Sequence, residues 1–311
     1  MLYKSCVLRI ALSLFVGINF FLVLPSYAKP TPIQVVATTG MLADAMREVG
    51  GKHVEVTALM GSGVDPHTYR QTRSDISRLR RADLIIWHGL HLEAQLQPLL
   101  QTLGRRQTVV ALAQAIAQDK LLSNEDNPDW YDPHVWMDPE LWQDVVEAGR
   151  DALIAKDPEN EQDYRDNALR YNQAIATMHA SNRKLLLSVP ADKRVLVTAH
   201  DAFRYFGRQY GYEVLGMQGI STESEASLHR IEQLVQLLVA RGINAIFVES
   251  SVSDRTMRAL VEGAASRGHT VVIGGELYSD AMGKPGTREG SYLGMIEHNA
   301  STIAHALGAQ P

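Results

Sequence analysis

The feature that most narrows the fold of this chain is a stretch, residues 159–189, that contains neither Gly nor Pro. Asp157-Pro158 supplies a helix start and Pro190 a stop. Tyr164, Ala168, Tyr171, Ile175, Met178 and Leu185 follow alternating steps of four and three, with polar Asn182 at the missing step, so one stripe faces a core. At about 1.5 Å per residue such a helix runs ~45 Å, more than one lobe needs. A rod of this length in mid-chain either ties two lobes together along one edge or lies as a long surface helix on a single domain. In the first arrangement it resists bending and limits how far the lobes close.

The flanking segments fit two lobes. Residues 33–39, 53–59, 84–87 and 108–111 are short β-branched or apolar runs, with helical patterns at 41–48 and 74–81 between the first three. After the rod, strand-like runs at 195–198, 212–215, 245–248 and 270–273 alternate with helical stretches at 202–210, 227–240 and 254–265, and 291–307 closes the chain. This is the rhythm of parallel sheets covered by helices. The expected class is α/β, two (β/α) lobes, with an N-terminal lobe at 29–158, a linking helix at 159–189 and a C-terminal lobe at 190–311.

Residues 1–28 read as a cleaved secretory signal. Lys4 and Arg9 precede an uncharged run at 10–24, and Ser26-Tyr27-Ala28 offers small residues where a signal peptidase cuts. The uncharged run falls short of the ~20 residues that cross a bilayer as a helix. Cleavage would place the protein in the periplasm and remove Cys6, the only cysteine. Cys6 precedes the apolar run, so no lipid anchor is expected, and a metal site in the mature chain must use imidazole and carboxylate. The 30 Lys and Arg against 35 Asp and Glu give a net charge of −5, and −7 once Lys4 and Arg9 are gone. Such a chain has no broad cationic field for nucleic acid.

Chemistry is suggested by where the histidines fall. Two of eleven sit in the same tripeptide, Asp65-Pro66-His67 and Asp132-Pro133-His134, where proline stiffens the loop that presents the imidazole. His200 ends the run 195–199, at the carboxyl end of a strand, the edge where open α/β sheets collect ligands. Asp280 follows the last strand of the second half in a corresponding position. Two candidates thus come from each lobe and could converge on the cleft. The tripeptide is also ordinary turn chemistry, and loop histidines are often solvated. His88 and His91 compete, but Gly89 between them points to a loop and to solvated side chains.

The motifs Gly63-Val64-Asp65-Pro66-His67-Thr68-Tyr69, His134-Val135-Trp136-Met137-Asp138-Pro139, Thr198-Ala199-His200-Asp201-Ala202-Phe203 and Glu276-Leu277-Tyr278-Ser279-Asp280-Ala281-Met282-Gly283 strongly resemble those of the metal-binding receptors of ATP-driven importers. These are the cluster A-I solute-binding proteins, and the match is closest to the TroA-like group. The resemblance covers essentially the whole mature chain. It implies two lobes joined by one long helix, a transition-metal ion between them, and His67, His134, His200 and Asp280 as its ligands. It further implies partnership with an ABC permease and its ATPase; the expected working form is a monomer. Manganese-preferring relatives commonly carry Glu at the third ligand position and zinc-binding relatives His, and this chain has His200. Three imidazoles and one carboxylate suit Zn²⁺, whereas Mn²⁺ favours oxygen. Many zinc-specific receptors carry a His-rich acidic loop that residues 118–131 here lack, which leaves manganese open as a second cargo.

A metal-bound imidazole donates its other N–H to a partner that fixes its tautomer. Glu249, at a strand end, is the favoured partner; Asp65, Asp132 and Asp201 are further candidates that equally suit capping and turn roles. Two rivals keep a place. A secreted zinc metalloenzyme would need an open coordination position and a base, and neither His-Glu-x-x-His nor Gly-x-Ser-x-Gly occurs. A receptor for a chelated metal or cobalamin would call for a wide aromatic cleft, against 7% aromatic residues. Some members of the family are described as adhesins, a role on which these residues are silent.

Overall fold

A computed structural model describes residues 31–124 and 127–309. The expected signal segment and its anchor-free reading lie outside the described residues.

Strand β1 (Ile33–Ala37) is the centre of the first sheet. It pairs in parallel with β2 (Val54–Ala58) on one side and β3 (Leu84–Trp87) on the other, and β4 (Val109–Ala111) extends the sheet in the order β2-β1-β3-β4. Every residue of β3 is buried, as a parallel strand covered on both faces should be. Helix α1 (Gly40–Gly50) is capped by Thr39, α2 (Arg73–Arg81) carries a reciprocal Thr72–Asp75 capping box, and α3 (Gln97–Leu103) leads into β4.

Two antiparallel helices form the middle of the molecule, α4 (Pro139–Lys156) and α5 (Glu161–Leu187). The sequence pattern anticipates α5, whose buried face is Tyr164, Ala168, Tyr171, Ile175, Met178, Asn182 and Leu186. Leu186 takes the place expected for Leu185, because a second step of four after Asn182 keeps the stripe in register over seven turns. The sequence pattern does not predict helices α3 and α4. Helix α4 is hidden by its position directly behind the His134 motif, where Asp138 caps its first turn and Pro139 opens it.

The second half repeats the first. Strand β5 (Val195–Thr198) pairs in parallel with β6 (Glu213–Gly216), and β7 (Ala245–Glu249) with β8 (Val272–Leu277); β5 and β7 pack side by side. These are two two-stranded sheets, and with β5 beside β7 the spatial succession β6-β5-β7-β8 matches the strand order of the first sheet. Helices α6 (Arg204–Tyr210), α7 (Leu228–Arg241), α8 (Arg255–Ala265) and α9 (Tyr292–Ala306) complete it. Strand β8 runs four residues past the expected end, through Gly274 and Gly275. These glycines are not breakers: a Cβ on Gly274 would stand 2.7 Å from Ala306 Cβ, and one on Gly275 would collide with Thr302, so α9 sits directly on the strand. Among the described residues no helix is long and apolar enough to cross a membrane.

The largest apolar cluster is shared by both halves. It contains Met41 and Trp142 from the first, Tyr171 of α5, and Phe203 and Tyr292 from the second. Trp142 and Tyr292 stack with ring centroids 5.1 Å apart. Re-exposing either ring would cost about 4–6 kcal/mol at ~25 cal/mol per Å². Smaller clusters lie beneath α7 and α8 and on the α2–α3 face of the first sheet. Asp44 of α1 pins the junction: its Oδ2 accepts the Tyr171 hydroxyl and the Tyr292 backbone N–H, both at 2.9 Å. Tyr171→Phe is therefore expected to destabilise the metal-free protein by about 1–3 kcal/mol in urea unfolding, because a buried acceptor loses its donor. A change near zero would show that the junction does not depend on this bond.

Candidate metal centre

The loop after β2 carries His67. Asp65 accepts the His67 backbone N–H at 2.8 Å and the Thr68 hydroxyl at 2.9 Å, so the Asp-Pro-His tripeptide is a side-chain-closed turn stiffened by its proline. The second copy closes the same way. Asp132 Oδ1 accepts the His134 backbone N–H at 3.0 Å and also the ring Nδ1–H at 2.7 Å. His200 follows β5, and Glu249 at the end of β7 accepts its backbone N–H at 2.9 Å and its Nδ1–H at 2.5 Å. This pair spans the point where strand order reverses, the usual ligand crevice of a parallel sheet. Asp280 follows β8. Its loop is held by Asn299 of α9, bonded to both the N–H and the C=O of Tyr278, and by Trp136, whose Nε1–H donates to Ser279 O at 2.7 Å.

The four side chains meet. One donor atom from each of His67, His134, His200 and Asp280 lies within 4.8 Å of all the others. The Nε2 atoms of His67 and His134 are 3.3 Å apart, and Asp280 lies 3.1 Å from His200 Nε2, 3.4 Å from His134 Nε2 and 3.8 Å from His67 Nε2. A tetrahedron built on bonds of ~2.0–2.1 Å has edges of ~3.3 Å. All four residues are buried. His200 Nε2 and both Asp280 oxygens make no hydrogen bond, a costly state that a cation among them relieves.

The imidazoles differ in charge. Burial drives His67 down to about 4, against the pull of Asp280. Burial also works downward on His134, but Asp132 and Asp280 outweigh it and push the group up to about 9. His200 rises well above its ordinary value in the same way, through Glu249 and Asp280. Burial pushes Asp280 up, but the two cationic rings outweigh it and hold the carboxyl well below the usual range. In the absence of metal the surroundings therefore favour the protonated form at His134 and His200, the neutral form at His67 and the carboxylate at Asp280.

Of the four carboxylates considered as imidazole partners, Asp132 and Glu249 touch a ring nitrogen. Asp65 spends its oxygens on its own turn and on Thr222 at 2.6 Å, and Asp201 lies 3.8 Å from Arg204. His88, expected to be solvated, is instead buried and donates Nε2–H to Pro133 O at 2.7 Å. Buried Glu93 draws the segment inward, accepting the backbone N–H groups of His88 and Gly89 and the Thr38 hydroxyl. Leu90 and His91 adopt left-handed backbone, φ 52° and 64°, so His88 and His91 share no helix face; His91 stacks on Trp130 at 4.1 Å. Trp136 and Tyr205, which brace the His134 loop, carry no spacing signal that the sequence could reveal.

The fold and this four-residue cluster define a two-lobed receptor of the kind that holds a small ligand where two parallel sheets face. Residues 35–306 match the family model described as ZnuA, zinc-uptake complex component A, periplasmic, and the chain belongs to this family. The manganese-binding lipoprotein MntA of Bacillus subtilis is 46% identical over 275 residues, covering 88% of this chain and 90% of that protein. The zinc-binding protein TroA of Treponema pallidum is 43% identical over 273 residues, 88% of each chain. The solved structure of the Treponema pallidum periplasmic zinc-binding protein TroA superposes with a TM-score of 0.87 at 44% identity, covering 89% of this chain and 99% of that one. With a lipoprotein among these relatives, the comparisons lend no support to the expected absence of a lipid anchor.

Glu249→Ala is expected to lower metal affinity ~10 to 100-fold by freeing the His200 ring, measured by calorimetric titration of metal-free protein. Unchanged affinity would show that Glu249 does not orient the ring.

Proposed function

We propose that the chain is the periplasmic receptor of an ATP-driven importer, capturing one free divalent transition-metal ion, zinc in preference to manganese, and delivering it to the membrane permease. The ligands are His67, His134, His200 and Asp280. The observation that carries this reading is the buried set of four donor atoms at tetrahedral spacing, two of the rings anchored through Nδ1 by carboxylates. Family membership and relatives named for zinc or manganese support the receptor role, and they divide between the two metals. Zinc is favoured by the donor chemistry: three nitrogens suit Zn²⁺, and Mn²⁺ stands at the weak end of the affinity order.

The rival readings fit less well. Four protein ligands close a tetrahedron, leaving no position for the activated water of a hydrolytic site. The ligating residues are at most 3% exposed, which gives an organic chelate no room beside them. A bare ion fits.

Charge bookkeeping favours a dication as well. The protons that His134 and His200 favour must leave as a doubly charged ion enters, which offsets the charge brought into the buried site. This moves the pH range. Unshifted imidazoles would compete with metal only below ~6.5, whereas His134 competes up to about 9. A group whose protonated form is favoured must be deprotonated to bind, so affinity falls as pH falls. Between about pH 6 and about pH 8, zinc affinity should rise roughly tenfold per unit for each proton displaced. An affinity flat across that interval would contradict the charge assignment.

Competitive titration of metal-free protein tests the cargo. Zn²⁺ is expected to displace Mn²⁺ and to raise the melting temperature, and His67→Ala, His134→Ala and His200→Ala should each bind more weakly than the parent. Tighter Mn²⁺ binding would overturn the zinc preference, and three alanine variants that bind like the parent would overturn the ligand set.

A further inference from the structure

Chain order assigns His67 and His134 to the first lobe and His200 and Asp280 to the second, but the bonds around them divide differently. The segment leading to His134 is fastened to the second half as well as to the first, where His88 Nε2–H donates to Pro133 O at 2.7 Å. From α6, Tyr205 donates its hydroxyl to Asp132 O at 2.9 Å and accepts Leu122 N–H at 3.0 Å, while Arg208 reaches Lys120 O at 2.7 Å and the Asp138 carboxylate at 3.1 Å. Trp136 donates to Ser279 O, and Tyr292 of α9 donates its hydroxyl to Trp136 O at 2.9 Å. Trp136, Tyr205 and Tyr292 are fully buried. His134 is thus tied by these bonds to the half that carries His200 and Asp280.

The His67 loop is held far more lightly. Among the described residues, one hydrogen bond joins it to the second half, from Thr222 Oγ1 to Asp65 Oδ2 at 2.6 Å. Its apolar anchors, Val64 and Tyr69, are only partly buried, and they rest on the small cluster of the α2–α3 face instead of the core shared by the halves. Gly61 and Gly63 flank exposed Ser62 at its start; Gly61 has open space around it, and Gly63 holds φ 73°, with Ser250 O 3.4 Å from where a Cβ would stand, so both positions have the backbone freedom of glycine. Separating the halves as rigid bodies would instead tear the shared core, Trp142 from Tyr292 included.

We infer that the site closes as three plus one: His134, His200 and Asp280 stand as a prebuilt half-site on the second half, and the loop carrying His67 admits and releases the ion, with Thr222 as its latch. This rests on the metal-binding reading above. Thr222 acts through Asp65, which shapes the His67 turn, and is a positioning residue that touches no ion.

Hydrogen–deuterium exchange of the full protein, with and without Zn²⁺, tests the division. Without metal, amides of residues 61–72 should exchange fast and gain protection on zinc addition, while 130–138 and 199–201 stay protected in both states. Deprotection of 130–138 in step with 61–72 would overturn the three-plus-one scheme while leaving metal binding intact. Thr222→Val should raise the zinc dissociation rate roughly tenfold, the loss expected for a hydrogen bond to a charged group, with the association rate little changed. A dissociation rate equal to the parent's would remove Thr222 as the latch. If direct titration shows no zinc binding to the parent, the receptor reading itself fails, and this scheme with it.

Discussion

Bringing three imidazoles and a carboxylate together out of water is the constraint around which this molecule is built. Left alone, each group would shed its charge or pull water into the protein. Here Asp132 and Glu249 each grip one ring through Nδ1 and the same residue's backbone N–H, leaving Nε2 turned toward its neighbours. The two-point grip removes ring rotation, so little ordering remains to be done when a cation arrives. The cost is a carboxylate, Asp280, buried with no hydrogen-bond donor of good geometry, and the surrounding positive rings offset it.

The fold serves that constraint through repetition and a shared core. The strands of the two halves succeed one another in the same spatial order, and three of the four donors follow the carboxyl ends of their strands. The reversal point of the second half supplies the His200–Glu249 pair. The corresponding point of the first supplies no donor and is filled by the Thr38–Glu93 bond, which shapes the backbone at His88. The two-lobed description is therefore right for architecture, yet the apolar core runs through α1, α4, α5 and α9 without a break. Such a molecule opens more cheaply at a glycine-flanked loop than along its full interface.

Much of this was legible in the chain itself, for identifiable reasons. All eight strands show as β-branched or apolar runs, and α5 shows because nothing in it interrupts a regular stripe. Stiff Asp-Pro-His turns and strand ends mark His67, His134, His200 and Asp280 as candidates, but the same turns suit solvated histidines, and it is the resemblance of four motifs to the metal-receptor family that singles these residues out as a ligand set. What escaped depends on distance. Whether Asp65 or Asp132 reaches an imidazole turns on ring orientation, which the identical tripeptides do not encode. Burial of His88 comes from Glu93 and Pro133, the latter 45 residues away in the chain. Tyr205 braces Asp132 across 73 residues, a relation that no window along the sequence contains. Gly274 and Gly275 read as a strand end until α9 is seen lying on them.

X-ray absorption on the zinc-loaded protein addresses the central claim most directly, because it counts donors around the ion without reference to the fold. The account predicts a sulfur-free shell at ~2.0–2.1 Å fitted by three imidazoles and carboxylate oxygen. A shell with fewer than three imidazoles, completed by water, would contradict it.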